Sequence, residues 1–160
     1  MEKILVIDSE KCTGCRICEQ VCSVWHEKVV NTYRSRIKIV KWEMTGEFLP
    51  MVCRQCDNAP CVQVCPMEAI SKDSDTGLVS VNYDKCIGCL MCISICPFGA
   101  MSYDFIDNKV MKCDFCDGKP QCVRFCDAQA IQFKEKSNTN KDAMQTAAEQ
   151  VRKAATSINK

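Results

Sequence analysis

The sequence predicts an α+β fold of short hairpins and short helices, laid down twice along the chain. Three observations carry that expectation. Sixteen cysteines in 160 residues fall into four groups of four with none left over. The groups recur in the order A-B-A-B. Between them, turn residues alternate with brief strand patterns, and no long amphipathic helix intervenes.

In chain order, Met1–Asp8 reads as a short strand, followed by the first A group, Cys12, Cys15, Cys18 and Cys22. Thirty residues then separate Cys22 from the first B group. They hold Trp25, His26, Arg34 and a strand pattern over 36–42, in which Ile37 and Ile39 share a face. The B group is Cys53, Cys56, Cys61 and Cys65, with the turn-forming Asp57-Asn58-Ala59-Pro60 inside it. A hairpin follows: Ala69-Ile70, a turn over 73–77, and Leu78–Val81. The second A group is Cys86, Cys89, Cys92 and Cys96. Only sixteen residues lead on, as a hairpin turning at Asp107-Asn108, to the second B group, Cys113, Cys116, Cys122 and Cys126. Lys11-Cys12-Thr13-Gly14-Cys15 repeats as Lys85-Cys86-Ile87-Gly88-Cys89, and Met51-Val52-Cys53 as Met111-Lys112-Cys113. Two ancestral halves account for this order.

The chemistry follows from the spacing. Residues 86–97 read C-x2-C-x2-C-x3-C-P, which wraps three thiolates around one cubane iron–sulfur cluster and sends the fourth to a neighbour. Disulfide scaffolds spread their cysteines to staple distant loops instead. A zinc site of two C-x2-C knuckles leaves the third cysteine of each run, and the fourth cysteine before Pro66 and Pro97, without a purpose. Four [4Fe-4S] clusters account for all sixteen cysteines. The α+β architecture is then ferredoxin-like, with the clusters serving as much of the core.

The formal charge of +1 counts cysteines as neutral. Sixteen thiolates with four oxidised cores at about +2 each carry about −8, taking the loaded chain to about −7. The basic residues then offset cluster charge, and no basic face with interleaved aromatics marks a nucleic-acid partner. No apolar run is long enough to span a bilayer, so no direct membrane insertion is expected. The N-terminus carries no leader pattern or twin-arginine run, and reducing surroundings suit thiolates; the cytoplasm is the expected compartment. With every iron assigned four thiolates, no substrate-binding catalytic centre is expected. His26 reads as packing or hydrogen-bonded structure, Trp25 and Trp42 as cover for a cluster, and Arg34 and Arg36 as a solvated pair.

The phrases Cys53-Arg54-Gln55-Cys56-x-x-Ala59-Pro60-Cys61 and Cys86-Ile87-Gly88-Cys89 through Cys96-Pro97-Phe98-Gly99-Ala100, in four groups of this order, resemble the four-cluster electron-transfer subunits of molybdenum and tungsten pterin enzymes, carbon monoxide dehydrogenases and formate-linked hydrogenases. The resemblance covers residues 4 to 133. Cys22-Ser23-x-x-His26-Glu27 and Ser35-Arg36-Ile37 look most similar to the small polyferredoxin subunit of tungsten-dependent aldehyde oxidoreductases. The resemblance implies a non-catalytic relay between a larger catalytic oxidoreductase subunit and a flavin-containing or ferredoxin redox partner. It also implies ligand sets that cross between groups: Cys12, Cys15, Cys18 with Cys126; Cys113, Cys116, Cys122 with Cys22; Cys53, Cys56, Cys61 with Cys96; and Cys86, Cys89, Cys92 with Cys65. This sequence departs from the pattern where Ser23 and Asp127 stand in place of the proline after the fourth cysteine.

Beyond the repeat the composition changes. Residues 1–136 are expected to form the cluster domain and 137–160 a tail. In that tail Met144, Ala147, Ala148, Val151, Ala154, Ala155 and Ile158 give an apolar helical stripe over 140–158. Such a stripe suits a helix folded back on its own domain or a frayed tail, or else a helix for self-assembly or docking on another subunit.

Overall fold

The computed structural model describes residues 2–136. The chain runs β1 (Lys3–Ile7), α1 (Ile17–Glu27), β2 (Ile37–Trp42), β3 (Glu47–Val52), α2 (Pro60–Gln63) and β4 (Ile70–Lys72). It continues with β5 (Val79–Val81), α3 (Met91–Ile95), β6 (Ser102–Asp104), β7 (Lys109–Met111), α4 (Phe115–Gly118), α5 (Gln121–Arg124) and β8 (Ile131–Glu135). The order strand, helix, hairpin, helical turn, strand is thus run twice. Four antiparallel two-stranded sheets result: β1 with β8, β2 with β3, β4 with β5, and β6 with β7. Exchanging the halves turns the β1–β8 pairing into β5–β4 and the first hairpin into the second, so the topology has an internal two-fold. The expected C-terminal helix lies outside the described residues.

Two strands go beyond the sequence expectation. β3 contains Pro50, which reads against a strand; it is tolerated because a two-stranded sheet consists of edges, where a missing N–H costs nothing. β8 returns to pair with β1, from Ile7 opposite Ile131 to Lys3 opposite Glu135, and ties the two ends of the fold together.

The helices differ in length for a reason visible in single residues. Pro97 cannot continue a helix, and α3 stops at Ile95 with Cys96 already extended. At the equivalent place α1 has Ser23, whose Oγ donates to Gln20 O at 2.8 Å and accepts from Asn31 N–H at 3.0 Å. α1 therefore runs on to Glu27 and carries His26 and Glu27 across to the other half.

The core is split in two, each part built on cysteines. One packs Leu5, Ile37, Val52, Phe115 and Ile131 with Cys18, Cys22, Cys113 and Cys122. The other packs Ala59, Ile70, Val79, Met101 and Val110 with Cys92.

Candidate metal centres

Each run is bent inward by left-handed backbone. Gly14 and Gly88 sit at φ +69° and +67° between the first two cysteines of the A groups, and Arg16 and Leu90 follow the second at +61° and +64°. At Gly14 a Cβ would also lie 2.5 Å from the Phe48 ring. In the last B group Phe115, Cys116, Asp117 and Gly118 all have positive φ, so the segment is a left-handed turn rather than regular helix. Three residues after the fourth cysteine the device recurs, at Glu68, Gly99 and Gln129 (φ +48°, +55°, +51°). Each of these N–H groups donates to the carbonyl of Cys65, Cys96 or Cys126 respectively.

The helices deal the thiols out between sites. On α1, Cys18 and Cys22 are one turn apart, a rise of about 6 Å; α5 carries Cys122, with Cys126 just beyond its end, and α1 packs on α5. α2, which carries Cys61 and is followed by Cys65, packs likewise on α3, which carries Cys92 and is followed by Cys96. One cavity is lined by Cys65, Cys86, Cys89 and Cys92, with Met67, Ile70, Leu90 and Met91. A second is lined by Cys53, Cys56, Cys61 and Cys96, with Pro60, Pro97, Phe98 and Lys112. Each holds about 370 Å³ of space, partly open to solvent. A third, of about 860 Å³, is lined by Cys12, Cys15, Cys18 and Cys126 and roofed by Ile39, Pro50 and Phe125. Asp127 lines it too. Trp25 and Trp42 line none of these three cavities and are 39% and 49% exposed. The remaining four thiols, Cys22, Cys113, Cys116 and Cys122, are all buried and close enough to repel one another's charge.

Without metal, burial makes several of the sixteen thiols resist ionisation. Burial, then neighbouring Glu19 and thiols, pushes Cys18 up to about 12. Burial takes Cys92 and Cys116 to about 11 and raises Cys113 and Cys122 further. Cys65 and Cys22 are held down despite burial. The backbone N–H groups around Ala69, with Ala69 N to Cys65 Sγ at 3.3 Å, act on the first. His26 and the Arg36 N–H, at 3.3 Å from Cys22 Sγ, act on the second. A set of clustered, buried thiols needs cations among them to exist as thiolates, and N–H donors aimed at sulfur suit a sulfur-rich anionic group. The donor sets therefore fit iron–sulfur clusters.

His26 bridges the halves: Nδ1 lies 2.9 Å from Cys22 O and Nε2 3.0 Å from Asp114 Oδ1. Burial acts against both charges, yet their hydrogen bond outweighs it, raising His26 to about 9 and lowering Asp114 to about 2. The hydrogen-bonded structural role expected for His26 agrees with this placement. Arg34 and Arg36 require correction: both are buried, not solvated. Arg34 pairs with Asp104 at 2.5 Å, with Glu27 at 3.0 Å and with Asp107, while Arg36 pairs with Glu27 at 3.0 Å. Lys112 is a further buried cation that sequence reading passed over. Its Nζ donates to Gln55 Oε1 at 3.0 Å, to Cys113 O at 3.2 Å and to Val79 O, while Gln55 Nε2 donates to Cys113 O at 2.9 Å. The repeated Met-x-Cys phrase was its only sequence signal. Among the described residues no helix is long and apolar enough to cross a membrane.

Comparison with known proteins agrees with this chemistry. A 4Fe-4S dicluster domain model matches residues 44–136, and a 4Fe-4S binding domain model matches residues 3–24. The Electron transport protein HydN of Escherichia coli K12 is 41% identical over 108 residues, 63% of this chain and 59% of that protein. The Aliphatic sulfonate oxidoreductase, polyferredoxin-like subunit, of Pyrococcus furiosus is 43% identical over 93 residues, 58% of this chain and 53% of that protein. The chain thus matches little more than half the length of these relatives. A chain of the active site complex BamBC of benzoyl coenzyme A reductase shares the fold, with TM-score 0.51, 22% identity and 99% and 97% of the two chains covered.

Proposed function

The chain belongs to the 4Fe-4S dicluster domain family, and from that premise we propose that it is an electron-transfer subunit holding four [4Fe-4S] clusters on its sixteen cysteines. The ligand sets are Cys12, Cys15, Cys18, Cys126; Cys22, Cys113, Cys116, Cys122; Cys53, Cys56, Cys61, Cys96; and Cys65, Cys86, Cys89, Cys92. Bound clusters supply one-electron redox chemistry and nothing more is asked of the chain chemically. Its own work is to space the sets and to exclude water from the Cys22 set.

One observation carries this reading: the four sets follow one another, and the exposed thiols lie at the two ends. Cys18 feels Cys122, Cys122 belongs with Cys113, and Cys113 feels Cys53. The Cys53 set is joined to the last set through α2 and α3. Cys15 in the first set and Cys89 in the last are the exposed cysteines, whereas those of the Cys22 set are all buried. Gln55 and Lys112, bonded to Cys113 O beside the Cys53 set, rigidify the crossing between the two middle sets.

Residues 1–136 form the relay domain in this reading and 137–160 an assembly tail. The partners are a larger catalytic oxidoreductase subunit, of the tungsten- or molybdenum-pterin aldehyde oxidoreductase kind, and a flavin-bearing or ferredoxin redox partner, in the cytoplasm. The motif Cys22-Ser23 through Ser35-Arg36-Ile37 supports that choice over a carbon monoxide dehydrogenase, formate dehydrogenase or hydrogenase complex. Anaerobic isolation of the native protein tests the whole reading. It should contain four irons and four sulfides per cluster for four clusters, bleach reversibly on reduction, and bring a large oxidoreductase subunit with it. Zinc in place of iron, or clusters that cannot be reduced, contradicts it.

A further inference from the structure

Nε and Nη1 of Arg36 are buried and make no hydrogen bond within the described residues. The residue is 8% exposed. Its Nη2 pairs with Glu27, and its backbone N–H donates to Cys22 Sγ at 3.3 Å, which anchors it at a thiol of the second set. Its charge bears on Cys116, on Asp114 and on His26.

The nearby acceptors are spoken for. Asp114 accepts from Cys116 N–H at 2.9 Å and lies against His26. Glu27 is shared with Arg34 and Lys109. Tyr83 lies close enough for its hydroxyl to interact with the guanidinium, and that hydroxyl also donates to Val110 O at 3.1 Å, yet Nε and Nη1 make no hydrogen bond within the described residues. Lys112, by contrast, has three acceptors for its three protons. Buried guanidinium donors without acceptors are costly, and the group these ones lack is an anion beside Cys116 and Cys22.

We propose that Arg36 turns Nε–H and Nη1–H onto the sulfurs of the cluster held by Cys22, Cys113, Cys116 and Cys122, and so raises its reduction potential. Reduction adds one electron to the cluster core and breaks no bond. A fixed cation that does not lose its proton, with two donors on sulfur, stabilises the more negative state. Within the relay, an electron then rests more readily on the second site than its four cysteines alone would allow. The inference rests on the cluster assignment above.

Potentiometric titration of the anaerobically prepared full chain, followed by electron paramagnetic resonance, tests it in the wild type, Arg36→Gln and Arg36→Lys. The signal to follow is the one that Cys116→Ala removes. In Arg36→Gln its potential should fall while the other three stay put and iron and sulfide remain at wild-type content. Arg36→Lys, which keeps the charge but loses the planar fork, should show a smaller fall. Full cluster content with all four potentials unmoved in Arg36→Gln overturns the proposal. Should Arg36→Gln fail to assemble, an unmoved potential in Arg36→Lys overturns it equally. Wild-type protein without a cluster on the Cys116 set overturns the assignment itself, a failure seen in the wild-type iron content before any variant is made.

Discussion

Glu27 is the anion on which the contact between the two halves turns. Its carboxylate, 3% exposed, receives Arg34, Arg36 and Lys109, each at 3.0 Å. Removing one partner from a buried ionic group leaves the rest uncompensated, which costs about 3–5 kcal/mol. Glu27→Gln should therefore lower the thermal midpoint of the loaded protein strongly, read by loss of cluster absorbance. Asp107→Asn, at a 43% exposed side chain of the same network, should lower that midpoint far less. Equal effects would show that the network is not organised around Glu27. The cysteine groups that line the cavities were legible in the sequence because they recur at fixed short spacings. The ionic network was not, because its partners are distant: Arg34 meets Asp104 seventy residues on. Read singly, Arg34 and Arg36 look like the solvated charges that most arginines are.

Among the elements, the turns after the fourth cysteines of the last three groups shape how those runs close on their sites. Gly99 meets a positive φ without a Cβ, whereas Glu68 and Gln129 adopt nearly the same conformation against their preference. Glu68→Gly and Gln129→Gly should each stabilise the loaded fold by about 0.5–1 kcal/mol, the relief of left-handed backbone less the added chain entropy. A loss of stability in either would mean that its side chain matters more than its backbone. The hairpins at 70–81 and 102–111 were readable because alternating residues flank polar turns. β3 was hidden by Pro50, and β8 by a partner at the opposite end of the chain. The contrast between α1 and α3 was half visible: Ser23 was noted as a missing proline, but only the fold shows that its consequence is a longer helix delivering His26 to Asp114 and Glu27 to Arg34.

For the molecule as a whole, the doubled topology places every helix pair between two thiol sets, so that cysteines of one run serve two neighbouring sites. Since burial raises seven of the sixteen thiols above their ordinary range without metal, metal binding and folding should be one event. Stripping iron with a chelator under reducing conditions should therefore remove near-ultraviolet ellipticity along with cluster absorbance; folded apoprotein with native ellipticity would contradict that coupling. The claim beneath all of this is that fourth cysteines cross between groups, and paired substitutions test it most directly. If Cys65 shares a cluster with Cys86, the double variant Cys65→Ala with Cys86→Ala should disturb one of the four reduced-state resonance signals, and Cys65→Ala with Cys56→Ala should disturb two. The reverse pattern, with one signal disturbed by the Cys65 and Cys56 pair and two by the Cys65 and Cys86 pair, would show that each group keeps its own cysteines.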